Sequence, residues 1–204
     1  MTHIIGSDEA GFGTWAGDLV VAAVLAPLDW VPPPGLTDSK KLSQVKREAL
    51  YKALLKDSRI QYRIESIFVE VIDQHGVFTV LKMGHRNVHR SLSQCTTEPC
   101  RHIADGNLEL GEGIESIPKA DDLFPAVSAA SILAKVTQVH EMMELDKLHP
   151  GYGFASHCGY GTPAHQAALK RLGICDAHRK SYSPIKKYLE EKVPRGDLEG
   201  FLPK

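Results

Sequence analysis

Residues 3–25 read HIIGSDEAGFGTWAGDLVVAAVL, and the fold follows from how that stretch divides. An apolar start (Ile4, Ile5) runs into two adjacent carboxylates, Asp8 and Glu9. Three glycines follow, Gly11, Gly13 and Gly17, and then an apolar run from Leu19 to Ala26. This is the pattern of two strands flanking a turn too rich in glycine to be regular. Neighbouring side chains of a strand point to opposite faces, so Asp8 and Glu9 could serve one site only at the strand's end, where Gly6 and Gly11 let the backbone turn. Two like charges side by side repel unless a cation or a shared proton relieves them. That tension points to a metal; a turn-capping Asp8 beside a solvated Glu9 is the plainer alternative. A nucleotide loop is excluded. Phe12 follows Gly6-x4-Gly11 where a P-loop has lysine, and Ala16 stands where a dinucleotide-binding turn needs its third glycine.

The totals narrow the class. A chain of 204 residues suits a single domain with a full-sized core, and 43% hydrophobic with 24% charged residues is ordinary for a soluble globular protein. A net charge of −1 means that a polyanionic partner must be met by a local patch. Cys95, Cys100, Cys158 and Cys175 show no Cys-x2-Cys spacing, so reduced thiols are expected and a zinc site is not. No apolar run approaches membrane length and no charged leader precedes the first strand. The expectation is a cytoplasmic, monomeric enzyme without a membrane partner.

Further along, residues 27–35 form a proline-rich loop that leads into the cationic segment Thr37–Ser43. Ser43 is suited to cap a helix reaching about Lys56, with Val45, Ala49, Leu50, Ala53 and Leu54 as its apolar stripe. Residues 59–69 read as a third strand. Residues 77–92 read as a helix with Val77, Val80, Leu81, Val88 and Leu92 inward and Arg86 and Arg90 as a basic stripe. His85 and His89 share one face of it, but no third metal ligand accompanies them, so a solvated face is expected. Residues 101–107 make a strand ending in the Asp105-Gly106 turn, and 114–118 another. A long helix then spans roughly residues 126–145. Residues 149–162 are a glycine- and aromatic-rich loop, able to set Tyr152 or Tyr160 against a base or sugar or merely to pack on the surface. Thr162-Pro163 starts a helix that Gly173 stops, and another follows Pro184. Residues 193–204 read as a tail. The whole is one α/β domain over residues 1–204, helical from about residue 162, with its site at the sheet's edge.

Asp8, Glu9, Asp105 and Asp121 (or its neighbour Asp122) all end or follow apolar strand-like stretches. If those ends are neighbours, they form a site for hard divalent cations suited to phosphodiester hydrolysis. The segments GSDEAG (6–11), DSKKL (38–42), DGN (105–107), KAD (119–121) and SAASILAKV (128–136) carry a family resemblance. HPGYGF (149–154), GYGT (159–162) and HRKS (178–181) extend it. In this order and over residues 4–184, the chain resembles ribonuclease HII, the type 2 ribonuclease H family.

The resemblance implies a ribonuclease H-like fold, a mixed β-sheet flanked by helices with a C-terminal helical segment. It implies endonucleolytic hydrolysis of RNA in RNA–DNA hybrids, or of ribonucleotide-containing duplex DNA, leaving 5′-phosphate and 3′-hydroxyl ends. Two Mg²⁺ ions, or Mn²⁺, would be held by Asp8, Glu9, Asp105 and Asp121, with Asp122 a bystander. Ser39 and Lys40 would hold backbone phosphates. Gly11, Phe12 and Gly13 would approach the sugar backbone, and Tyr160 would pack on a sugar at the RNA–DNA junction. One departure stands out: the family usually has Gly-Arg-Gly where this chain has Gly11-Phe12-Gly13. Phe12 forfeits a charge-assisted contact of roughly 1.5–3 kcal/mol, which predicts weaker recognition of a single embedded ribonucleotide. A non-catalytic hybrid-binding protein and a nuclease of the same fold acting on DNA remain the alternatives.

Overall fold

The computed structural model describes residues 1–192; the expected tail at 193–204 lies outside the described residues. Strands β1 (His3–Ala10) and β2 (Leu19–Pro27) come first, then helix α1 (Gln44–Lys56), β3 (Gln61–Ile67) and helices α2 (Val69–His75) and α3 (Val77–Ser93). Strands β4 (Cys100–Asp105) and β5 (Glu115–Ile117) follow. Helices α4 (Pro125–Leu148), α5 (Phe154–His157), α6 (Pro163–Leu172) and α7 (Ser183–Lys192) complete the described chain. Short 3₁₀ turns occupy Ser39–Lys41 and Ala120–Asp122. The chain divides into two compact units. One holds Met1–Ala10, Val20–Ser66 and Leu81–Thr137; the other holds Gly11–Leu19, Ile67–Val80 and the described residues from Gln138 on. No helix of the described residues is long and apolar enough to cross a membrane.

The first unit contains the mixed sheet, in the order β3-β2-β1-β4-β5. β1 pairs antiparallel with β2 and parallel with β4, and β4 pairs parallel with β5. Period-two alternation sorts β1 cleanly. Ile4 and Ala10 join Val20, Ala22 and Val24 of β2 in the core under Val127, Ala130, Leu133 and Ala134 of α4. Gly6 lies on that same face. A Cβ there would stand 2.6 Å from the Val127 backbone nitrogen, so the small residue is what lets α4 settle on the strand. β1 stays paired with β2 through Ala10, which corrects the expected turn at Asp8-Glu9: the two carboxylates leave a regular strand on opposite faces.

Two further expectations need correction. Ser43 does cap α1, accepting from the Lys46 backbone N–H, but of its expected stripe only Leu50 and Leu54 are buried. Val45, Ala49 and Ala53 face outward, because only Leu50 and Leu54, with Tyr51 beside them, meet the hydrophobic core. On α3, His85 and His89 are buried rather than solvated, sharing the inner face with Leu81, Val88 and Leu92.

The second unit is helical. Met142, Tyr152, Phe154, Ala168 and Ala177 gather around Ala16, with the Tyr152 and Phe154 rings stacked 5.1 Å apart. Thr162 caps α6 by accepting from His165, Pro163 is its first residue, and Gly173 ends it at φ 81°. The segment Gly11–Gly17 is gripped from α7's approach. Arg179, fully buried, donates from Nε to the Gly17 carbonyl (2.9 Å) and from Nη1 to the Phe12 carbonyl (3.1 Å) and the Tyr182 hydroxyl (2.8 Å).

Candidate active site

The parallel register aligns Ser7 with Ala104, so the next residues, Asp8 two short of the end of β1 and Asp105 at the end of β4, lie at one level on adjacent strands. The chain then crosses β5 and enters the 3₁₀ turn bearing Asp121. That turn is fixed by the Asp105 carboxylate, which accepts the Ala120 N–H at 2.8 Å, and by Ser128, whose hydroxyl donates to the Asp121 carbonyl. One oxygen from each of Asp8, Asp105 and Asp121 lies within 4.8 Å of the other two. Residues 8, 105 and 121, far apart in sequence, thus converge as expected.

Convergence is electrostatically costly. Burial pushes the Asp8 carboxyl well above its usual range, with the charges of Glu9 and Asp105 adding to the effect and a hydrogen bond from Ser131 opposing it. Asp121 is pushed up to about 6 by burial and by Asp105 and Asp38, against the relief of Lys40. The Lys40 ammonium is in turn held above its ordinary value. Desolvation works against that charge, but Asp8, Asp38, Asp121 and Asp105 outweigh it. An all-oxygen donor set with surplus negative charge fits a hard divalent cation. Bonds of about 2.1 Å put opposing ligand oxygens about 4.2 Å apart, within small side-chain rotations of the spacing seen.

Glu9 stands apart from that triad. Its Oε2 is 3.3 Å from His85 Nε2, on the β1 face that Ser7 shares. His85 Nδ1 is 2.8 Å from the Ser7 hydroxyl, which is 2.8 Å from His89 Nε2, and His89 Nδ1 is 3.1 Å from His102 Nδ1. With Glu9 ionised and the rings neutral, only one proton arrangement satisfies every link. His102 donates to His89, His89 to Ser7, Ser7 to His85 and His85 to Glu9. Burial and the neighbouring rings of His102 and His85 keep His89 well below the usual imidazole range, as this arrangement requires. The sequence reading missed this chain. Its one signal was the four-residue spacing of His85 and His89, which says that they share a face and not which face.

Ser39 and Lys40 sit in the 3₁₀ turn capped by Asp38, whose carboxylate accepts the Lys40 N–H at 2.9 Å. Lys40 is exposed, whereas Ser39 is buried with its Oγ 2.9 Å from that of Ser131. Since Ser131 also bonds Asp8, these hydroxyls form a short chain to that carboxylate. Asp122 pairs with Lys41.

The remaining candidates belong to the helical unit. Gly11 adopts φ 86°, and a Cβ there would meet the Asp18 carbonyl at 2.9 Å. The Phe12 ring packs edge-on against Phe78 at 5.3 Å. Exposed Gly13 has its nearest neighbour in the ring of Tyr160, itself exposed, and the Trp15 N–H bonds the Gly159 carbonyl at 2.8 Å. Gly11–Gly13 and the Tyr160 loop thus form one surface.

The ribonuclease HII family model matches residues 5–185. A ribonuclease HII from Sulfurovum sp. (strain NBC37-1) is 41% identical over 182 residues, covering 88% of this chain and 90% of that protein. Among solved structures, ribonuclease HII in the PCNA:RNase HII complex from Archaeoglobus fulgidus superposes with TM-score 0.73 at 26% identity, covering 89% of this chain and 95% of that one. Bst-RNase HIII in complex with Mn²⁺ shares the fold, with TM-score 0.66 at 21% identity over 92% of this chain and 69% of that one. With nearly the whole sheet and every described helix but most of α7 inside the family match, the chain belongs to the ribonuclease HII family of metal-dependent endoribonucleases.

Proposed function

We propose that this endoribonuclease cuts the RNA strand of RNA–DNA hybrids with two divalent ions, Mg²⁺ or Mn²⁺, held by Asp8, Glu9, Asp105 and Asp121. Such ions would supply Lewis acidity at the scissile phosphate. The observation that carries the reading is the meeting of three buried or half-buried carboxylates within 4.8 Å beside a lysine. Asp8, Asp105 and Asp121 are the core ligands, and Glu9, its carboxylate oriented by His85, adds the fourth. Lys40 offsets the negative charge of an incoming phosphate, a task that a net charge of −1 leaves to local cations. Gly11, Phe12, Gly13 and Tyr160 contact the hybrid's backbone and sugars, where a 2′-hydroxyl distinguishes RNA from DNA. Products carry 5′-phosphate and 3′-hydroxyl ends, and the enzyme works as a cytoplasmic monomer.

Asp8→Asn and Asp105→Asn should each abolish cleavage of a labelled hybrid and weaken Mn²⁺ binding, read by the metal's paramagnetic resonance, while the circular dichroism spectrum stays native. Full activity in either variant would refute the ligand assignment. Comparable cleavage of an all-DNA duplex would refute the hybrid as substrate.

A further inference from the structure

A second cluster of metal-ligating atoms lies in the helical unit. One ligand atom from each of His149, Cys175 and Asp176 falls within 4.8 Å of the others. His149 follows directly on α4, while Cys175 and Asp176 lie in the turn between α6 and α7, so 25 residues of chain lie between the His149 and Cys175 that the fold brings together. His149 Nε2 is 3.1 Å from Asp176 Oδ1. No Cys-x2-Cys spacing marks this group, so nothing in the order of residues announces it.

We propose that the chain carries a second metal site, for Zn²⁺, formed by the His149 imidazole, the Cys175 thiolate and the Asp176 carboxylate, with water as fourth ligand. The donor chemistry separates it from the catalytic carboxylates. Thiolate and imidazole suit a borderline-soft ion, whereas the all-oxygen cluster suits Mg²⁺ or Mn²⁺. Bonds of about 2.0–2.3 Å at tetrahedral angles place ligand atoms about 3.3–3.7 Å apart. The His149–Asp176 pair is near that spacing already; the Cys175 sulfur, within 4.8 Å of both, lies 3.2 Å from His178 Nδ1 and exchanges that contact for the metal. Burial holds the Cys175 thiol above its usual range, so binding is a proton exchange: the sulfur–zinc bond forms as the S–H proton leaves to solvent. His149 binds as neutral imidazole and gives up its pairing with Asp176. Access is provided by a cavity of about 250 Å³ whose floor is largely apolar (Phe68, Met142 and Leu145 among others) and into which His149, Asp176, Asp18, Glu70 and Glu141 bring the charged groups, four of them carboxylates that favour a cation.

Such a site would brace the substrate-facing loop. The His178 N–H bonds the Cys175 carbonyl at 3.1 Å, the Gly17 N–H bonds the Ala177 carbonyl at 2.9 Å, and the Arg179 N–H bonds the Trp15 carbonyl at 2.8 Å. Fixing Cys175 and Asp176 therefore fixes the turn that holds residues 15–17.

The test strips the full chain of metal with a chelator and titrates Co²⁺, a spectroscopic stand-in for Zn²⁺, in excess Mg²⁺. A thiolate-to-cobalt charge-transfer band should appear at one equivalent and vanish when Zn²⁺ is added. Cys175→Ser should remove the band and Asp176→Asn, at an exposed position, should weaken Co²⁺ binding at least tenfold. Both variants should still cleave hybrid with Mg²⁺, and Asp8→Asn should keep the band. Zn²⁺ should raise the unfolding temperature of the parent chain and not of Cys175→Ser. No band, a band that survives Cys175→Ser, or one lost in Asp8→Asn would overturn the proposal.

Discussion

Asp121 shows at the scale of one residue what gathering carboxylates costs. Its folded pKa, pushed up to about 6 from 3.8, means that the folded protein holds this proton more tightly than the unfolded chain does. The stability tied to that proton is complete below about 3.8 and lost as pH rises through about 6. Buried histidines act in the opposite direction. Burial and His165 hold His178 down at about 4, and burial depresses His89, so acid weakens those sites. Comparing the parent with Asp121→Asn cancels the histidines. In EDTA the variant should be the more stable at pH 7.5, by at most about 3 kcal/mol at 1.36 kcal/mol per unit. The gap should shrink as pH falls through 6 to 4.5 and close on adding Mg²⁺ at pH 7.5. Urea unfolding midpoints measure it, and a variant less stable than the parent in EDTA at pH 7.5 contradicts the account. These acids were legible in the sequence because each ends or follows an apolar strand-like stretch, and the ends of such stretches gather at one edge of a sheet. Ser7, His85, His89 and Arg179 were not, since burial of a polar side chain depends on partners the sequence does not align.

Elements tell a similar story. Caps and stops were readable wherever a side chain closes a helix end by itself, as Ser43 and Thr162 do by accepting backbone N–H groups and Gly173 does with its positive φ. Faces were less so. α1 offered five apolar residues and buries two, because its neighbours and not its own pattern decide which side is covered. α2 escaped notice, its seven residues being too few for a helical period to declare itself. One close approach of elements is β1 against α4 at Gly6. A methyl there would meet backbone atoms of Ala126 and Val127 at 2.8 and 2.6 Å, and backbone cannot rotate aside. Gly6→Ala should lower stability by about 1–3 kcal/mol, or more if α4 is forced off the strand. It should also weaken Mn²⁺ binding, since α4 carries the Ser131 that bonds Asp8. Gly13→Ala, whose nearest neighbour would be 4.0 Å away, is the control and should unfold with the parent. Equal urea midpoints for Gly6→Ala and the parent would show that the packing is looser than this.

Across the whole molecule, the roles proposed for the site residues divide between the two units. Asp8, Asp105, Asp121 and Lys40 belong to the sheet unit, while Gly11–Gly13, Tyr160 and Arg179 belong to the helical one. Metal binding and substrate choice should therefore be separable by mutation. Phe12 is the place to separate them. Its loop is held by its backbone: the Phe12 carbonyl accepts from Arg179 and Tyr182 whatever side chain stands there. Replacing the ring sacrifices its contact with Phe78 but leaves that clamp intact. The parent chain, without a cation at this position, should cut a long RNA tract in a hybrid better than a single ribonucleotide in duplex DNA. Phe12→Arg restores a charge-assisted contact of roughly 1.5–3 kcal/mol, which should raise the relative rate on the single ribonucleotide roughly ten- to a hundredfold. Mn²⁺ affinity and the rate on the long tract should change little. Equal cleavage of both substrates by the parent, or an unchanged ratio in Phe12→Arg, would mean that the junction is read without residue 12. A loss of Mn²⁺ binding in that variant would mean instead that the two functions are not separable.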